Sequence, residues 1–327
     1  MTRGTWGRIV CLFLLSSAAL LVFGDDRHSA RKARPDPVNL RVDTGLVLVP
    51  VSVTDLVNHP VTGLTKENFR VFDNSIEHTV LSVAREDAPM AIAVVFDTSA
   101  SMSRKLAKSR AAIAELLRSA NPEDEFCLVE FNDRVEVAQS WTEDTGAILD
   151  RLRSAAPRGR TALLDAIATG LRELKRSAKP RKALVILSDG GDNRSRQTER
   201  EIRSTIEESD ALIYAMGIFE TSGTHLAPEE IDGPRLLNDL SEASGGRLFT
   251  VANLRELPAI AAQIGVELHN QYILAYAAGA MIADGKHHRV KVKVVPPPGS
   301  AALRADWRTG YRVPARPPVS LSESSPR

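Results

Sequence analysis

Two hydrophobic rhythms divide this chain. From residue 39 to 86, and again from 271 to 312, apolar positions alternate with polar ones, the period of a strand with one face buried. In LRVDTGLVLVPVSVTD, Leu46 and Leu48 point one way and Val47, Val49 and Val51 the other. Asn58-His59-Pro60 makes a turn, a short helical stretch covers 65–69, and Asp73-Asn74 turns the chain into a strand from His78 to Val83. QYILAYAA, a turn at Asp284-Gly285, HRVKVKVVP and ALRADWRTGYRV give the later strands. Neither flank carries enough apolar material to stand alone, so the two are expected to pair into one small β-sandwich.

Between 89 and 268 the rhythm changes. Apolar runs without alternation, at Ala91–Phe96 and Ala183–Leu187, read as buried strands, the first on both faces, and Glu125–Phe131 and Ala211–Gly217 read as further strands. A further strand, Val135–Ser140, follows a hairpin at Asn132-Asp133, and Arg247–Val251 is a short strand. Helical spacing fills the gaps: 104–120 (Leu106, Ile113, Leu116, Leu117), 144–155, 162–177, about 197–209, 232–243 and 254–268. The expected fold class is α/β, a doubly wound, mostly parallel sheet with helices on both faces, inserted between the halves of the sandwich. No G-x-G-x-x-G follows the first strand, which argues against a nicotinamide-dependent dehydrogenase. The first turn of the 104–120 helix is cationic and opposes the helix dipole, so another group must hold that end.

Composition adds little to this picture and the termini add more. The 327 residues are 43% hydrophobic and 25% charged with a formal net charge of +1, and aromatics make up 5%. That balance gives no electrostatic argument for nucleic acid or an acidic membrane. Arg3 and Arg8 precede an apolar run over 9–23, so residues 1–24 are expected to be a secretory signal peptide. An uncleaved anchor is the alternative, and only then would the chain hold a membrane. Residues 25–38 form a linker and 313–327, rich in Pro and Ser, a disordered tail. The expected location is outside the cytoplasm: periplasmic, envelope-associated or secreted. Of the two cysteines, Cys11 lies in the signal run, so Cys127 has no disulfide partner and is expected to be buried.

The chemistry gathers at strand ends. The run ending in Phe96 meets Asp97-Thr98-Ser99-Ala100-Ser101, a D-x-S-x-S pattern at the edge where open α/β sheets keep their ligands. Taken alone, Asp97 and Ser99 are equally helix-capping residues. Thr161 opens the 162–177 helix, and Asp189 follows the Ala183–Leu187 strand ahead of Gly190-Gly191. Such oxygens suit Mg²⁺, Mn²⁺ or Ca²⁺ rather than zinc. Enzyme signatures are missing from the sequence. No H-E-x-x-H or G-x-S-x-G occurs, adjacent His287 and His288 point to opposite faces, and Ser99 stands where an aspartyl phosphatase wants a second acid.

Together these segments resemble the von Willebrand factor type A domain with its metal-ion-dependent adhesion site. The resemblance covers roughly 89–268 and is carried by Asp97, Ser99, Ser101, Thr161 and Asp189 in order. The flanks VTGLTKENFRVFDN, QYILAY, DGKHHRVKVKV and RTGY resemble an exported, acidobacterial-type group of such proteins. The resemblance implies a Rossmann-like α/β fold and a bound Mg²⁺ (or Mn²⁺ or Ca²⁺). It implies serines and threonine touching the metal, with aspartates often acting through water. It further implies a non-enzymatic adhesion module whose metal takes a carboxylate from a partner protein. The alternatives are a structural envelope module with a vestigial site and a metal-dependent hydrolase. Asp192 and Asn193 either support the site or simply turn the loop. Arg158 and Arg160 beside Gly159 either attract an acidic partner or are ordinary solvated charges.

Overall fold

A computed structural model describes residues 45–219, 228–278 and 286–312. The expected signal segment 1–24, the linker 25–38, residues 39–44, the Asp284-Gly285 turn and the tail 313–327 lie outside the described residues.

The leading flank supplies β1 (Leu46–Thr54), β2 (Phe69–Asp73), β3 (Ile76–His78) and β4 (Val80–Glu86). The middle of the chain runs β5 (Met90–Asp97), α1 (Leu106–Arg118), β6 (Glu125–Phe131), β7 (Val135–Thr142), α2 (Thr145–Ser154), α3 (Leu163–Arg176) and β8 (Arg181–Ser188). It continues through α4 (Glu199–Glu207), β9 (Leu212–Gly217), α5 (Pro228–Ser244), β10 (Leu248–Thr250) and α6 (Leu257–Leu268). The trailing flank adds β11 (Gln271–Ala277), β12 (His287–Val294), β13 (Arg304–Trp307) and β14 (Gly310–Arg312).

Six strands form the central sheet in the order β10-β9-β8-β5-β6-β7, parallel except for β7 at the edge. All of β5 is buried, which is why its sequence shows no alternation. Met90, Ile92, Val94 and Phe96 pack on one face with Ile113 and Leu116 of α1, Ile148 and Leu152 of α2, and Leu257 and Ile264 of α6. Ala91, Ala93 and Val95 pack on the other with Leu163, Ile167 and Leu171 of α3, Ile202 of α4 and Leu237 of α5. Each large side chain so buried contributes about 1.5–3 kcal/mol. Cys127 sits in the same layer, as expected, and burial pushes its thiol up to about 12.

Both flanks build two further antiparallel sheets, ordered β13-β1-β11-β4 and β14-β12-β2-β3. Val49, Val51, Val53, Phe69, Val71, Tyr272, Leu274, Tyr276, Val290 and Val292 fill the space between them. One strand expected over His78–Val83 is in fact two: β3 belongs to one sheet and β4 to the other, so the chain changes sheets at Thr79. The 65–69 stretch is a 3-10 turn at Lys66–Asn68, closed by a Thr65–Asn68 capping box. Within the sandwich, Asp73 accepts hydrogen bonds from Tyr311 (2.7 Å), His288 (2.9 Å) and Tyr276 (3.0 Å). Burial raises its pKa, but these three bonds outweigh that effect and hold it below the usual range.

The sandwich meets the amino ends of the central strands. Ser52 Oγ lies 3.3 Å from Tyr214 Oη of β9, and Arg308 donates to Asp210 at 2.8 Å. Arg181, at the start of β8, donates to Ala88 O (3.2 Å) and Gln271 Oε1 (3.0 Å). Asp97 and Ser188 end β5 and β8 at the opposite edge of the sheet.

Candidate metal centre

Strand order fixes where this site lies. From β5 the chain moves out through β6 and β7, then returns to place β8 on the other side of β5. The carboxyl ends of β5 and β8 therefore flank the point where the winding reverses, the crevice that doubly wound sheets offer to ligands. Phe96 pairs with Leu187 across these two strands, so Asp97 and Ser188 end them side by side, and Asp189 follows.

Three loops are stitched together at that edge. Thr98 N donates to Phe131 O (2.7 Å), and Thr98 Oγ1 both donates to that carbonyl (2.9 Å) and accepts from Asn132 (3.1 Å). Arg158 N donates to Thr98 O (2.8 Å) and Ala100 N to Gly159 O (3.1 Å), tying the loop before Thr161 to the D-x-S-x-S loop. Gly159 adopts φ 71°, and a side chain there would run into Asp133. Thr161 N donates to Asn193 Oδ1 (3.0 Å), while Thr161 O accepts from Asn193 N (3.0 Å) and Arg194 N (3.1 Å). Asn193 thus joins the second loop to the one that carries Asp189. Asp192 turns that loop, accepting from Ser195 Oγ (2.6 Å) and Leu164 N (3.3 Å), and burial raises its pKa.

Within this frame Asp97, Ser99 and Thr161 are buried, and Ser101 is exposed at the rim. Asp97 accepts from Ser99 N (2.8 Å) and Ser188 Oγ (2.6 Å). Burial, reinforced by the nearby charge of Asp189, pushes its carboxyl up to about 6, against the lowering effect of those two bonds. Ser99 Oγ and Ser101 Oγ lie 3.0 Å apart. Two neighbouring oxygens of an octahedral Mg²⁺ shell, each about 2.1 Å from the ion, stand about 3 Å apart. Donor chemistry and this spacing fit a small hard cation. Among the described residues no group of three His, Cys, Asp or Glu is placed to hold a metal.

Sequence reasoning missed two participants. Ser188 holds Asp97 from the neighbouring strand. Lys105 Nζ lies 2.8 Å from Asp189 Oδ2, with only 10% and 8% of the two side chains exposed. The cationic start of the 104–120 helix was the available signal. A 3-10 turn over Ala100–Arg104 precedes α1, Lys105 sits at its N-cap position, and its ammonium is on Asp189. The pair of carboxylates therefore already has one positive charge beside it.

Residues 92–191 match the von Willebrand factor type A domain. Among solved structures, the chain is similar to a von Willebrand factor type A protein from Catenulispora acidiphila (13% identity, 83% of this chain and 73% of that one, TM-score 0.48). It is also similar to BatB from Bacteroides thetaiotaomicron (17% identity, 54% and 98%, TM-score 0.43). A third is the vWF domain of the type V pili tip protein Mfa5 from Porphyromonas gingivalis (13% identity, 55% and 95%, TM-score 0.43). None of the curated proteins compared matches the chain. The family match thus runs from β5 to just past β8, and over that stretch the chain is similar to a von Willebrand factor type A domain.

Proposed function

We propose that this domain is a non-enzymatic binding module. It takes up a divalent ion, Mg²⁺ with Mn²⁺ or Ca²⁺ as substitutes, on Asp97, Ser99, Ser101, Thr161 and Asp189. The loaded site then accepts a carboxylate from a partner protein. The observation that carries this reading is the pair of serine hydroxyls 3.0 Å apart above a buried aspartate, at the reversal point of the sheet. In this arrangement Ser99 and Ser101 present neutral oxygens to the ion, and Thr161 adds another from the stitched second loop. Asp97 and Asp189 supply the charge. The metal supplies an open coordination position for an acidic oxygen, and Asp97, already engaged by Ser188 and Ser99, holds the serine loop in place.

Calorimetric titration with Mg²⁺ and Mn²⁺, with thermal melts as the folding control, tests this. Asp97→Ala should abolish most of the uptake. Thr161→Ala removes one neutral oxygen and should weaken it about 10-fold. Neither should unfold the chain, because Asp97 and Thr161 lie at the carboxyl edge of the sheet, outside its two apolar layers. A wild-type chain that takes up no divalent ion, even with a carboxylate peptide present, would make this a structural module. Equal uptake by Asp97→Ala would mean that the ligand assignment is wrong.

We also propose that the chain acts outside the cytoplasm, on the strength of Arg3, Arg8 and the apolar run over 9–23. Among the described residues no helix is long and apolar enough to cross a membrane. Protein recovered from the envelope fraction should have an intact mass lacking residues 1–24; a full-length chain held in the membrane would refute cleavage.

A further inference from the structure

A cleft of about 630 Å³ opens beside the metal centre, and four arginines line it: Arg134, Arg172, Arg194 and Arg196. It is continuous with the centre through the backbone. Ala162, the neighbour of Thr161, lies in its wall, and Arg194 N donates to Thr161 O at 3.1 Å. Arg158 and Arg160, just before the same threonine in the chain, are also exposed.

These guanidiniums differ from others on the surface. Arg203 and Arg235 each bridge Glu199 and Asp239, and Arg70, Arg118, Arg153 and Arg176 each meet a glutamate or aspartate. None of the six arginine side chains around the centre and cleft has an ion pair or hydrogen bond with another described residue. Two acids share the cleft. Asp165 is committed to the backbone N–H groups of Arg196 (3.1 Å) and Gln197 (3.0 Å), and Asp133 lies against Gly159. The result is a polar trough of excess positive charge that begins where the metal site ends.

We propose that this cleft is a second contact of the same partner, and that the partner presents an extended acidic segment. One carboxylate completes the metal's coordination and further ones pair with Arg172, Arg194 and Arg196. This rests on the metal-site reading above. Guanidinium and carboxylate match as planar, two-pronged partners. A uniformly charged polyanion would have to lie over Asp133 and Asp165; a peptide with spaced carboxylates need not.

Fluorescence anisotropy with the full chain and two short labelled peptides tests the proposal. One peptide carries a single aspartate among Gly and Ser; the other carries aspartate at alternate positions. With Mg²⁺ present, the combined Arg172→Ala, Arg194→Ala and Arg196→Ala variant should bind the multi-aspartate peptide more weakly. Each exposed pair is worth up to roughly a factor of five, so the loss should be about 10- to 100-fold. Binding of the single-aspartate peptide and calorimetric Mg²⁺ uptake should not change, and added salt should erase the difference between the peptides. Equal binding of the multi-aspartate peptide by variant and wild type would overturn the proposal. So would a variant that loses heparin binding in chelator while keeping its peptide affinity, since the arginines would then serve a metal-independent polyanion. If the wild type takes up no Mg²⁺, the metal reading fails by itself. The arginine dependence of the multi-aspartate peptide, measured in chelator, would still decide the cleft.

Discussion

Asp97 and Lys105 set the electrostatic balance at the carboxyl edge of the central sheet. An aspartate raised from 3.8 to about 6 makes the folded chain bind more protons than the unfolded chain between those pH values. Stability from this group is therefore greatest at low pH and declines as pH rises towards 6, by about 3 kcal/mol in all. A nearby cation offsets that cost, and Lys105 is the cation the chain itself provides, through Asp189. The same ammonium repels an incoming divalent ion. At an effective dielectric of about 20, charges several ångströms apart interact by a few kcal/mol, reduced when a flexible side chain swings away. Lys105→Met should therefore raise Mg²⁺ affinity about 10-fold in calorimetry at pH 7. In chelator it should lower the melting temperature and steepen its fall between pH 5 and 7. Unchanged or weaker Mg²⁺ binding by the variant would show that the lysine helps to hold the site rather than competing for it.

At the scale of elements, what the sequence made legible was whatever depends on burial alone. β5 and β8 are buried on both faces, so their unbroken apolar runs marked them, and the residues just past those runs were the ligand candidates. Boundaries set by distant partners could not be read in this way. The helix expected from residue 104 starts at Leu106, because Lys105 is held by a residue 84 positions away. The helix expected over 197–209 is only Glu199–Glu207, since Thr198 and Glu201 cap it reciprocally. The helix expected from 232 begins at Pro228, and Gly233 within it lies so close to Gly190 that a methyl group there would collide with the Gly190 carbonyl. Gly190 itself adopts φ 109°, which lets the chain turn directly after Asp189. The break at Thr79 left no mark either, because both halves alternate alike and only the second sheet decides it. The cleft arginines come from positions 134, 172, 194 and 196, in three separate segments, so no window of sequence shows a basic stripe.

For the whole molecule, the consequence lies in how the sandwich is interleaved. β11 pairs with β1 on one side and β4 on the other, while β12 lies between β14 and β2. The trailing flank thus provides an inner strand of each sheet, and the leading flank has little pairing of its own beyond the short β2–β3 ladder. Deleting residues 271–312 would leave β1 and β4 without their ladders and expose Val49, Val51 and Val53, which are buried in the intact chain. Two or three strands without a covered face do not persist in water. The central sheet keeps both of its own apolar layers, so its fold should survive, although Tyr214 and Arg247 lose the register of their contacts with Ser52 and Asn58. Hydrogen exchange on the truncated chain should therefore show the amides of β1, β2 and β4 exchanging at unprotected rates. Those of β5 and β8 should stay protected in the same sample, with a lower melting temperature than the full chain. Retained protection across β1 and β4 would mean that the leading flank folds without its partner, and the shared core would be refuted. Loss of protection in β5 as well would show that the sandwich is needed to hold the central sheet together.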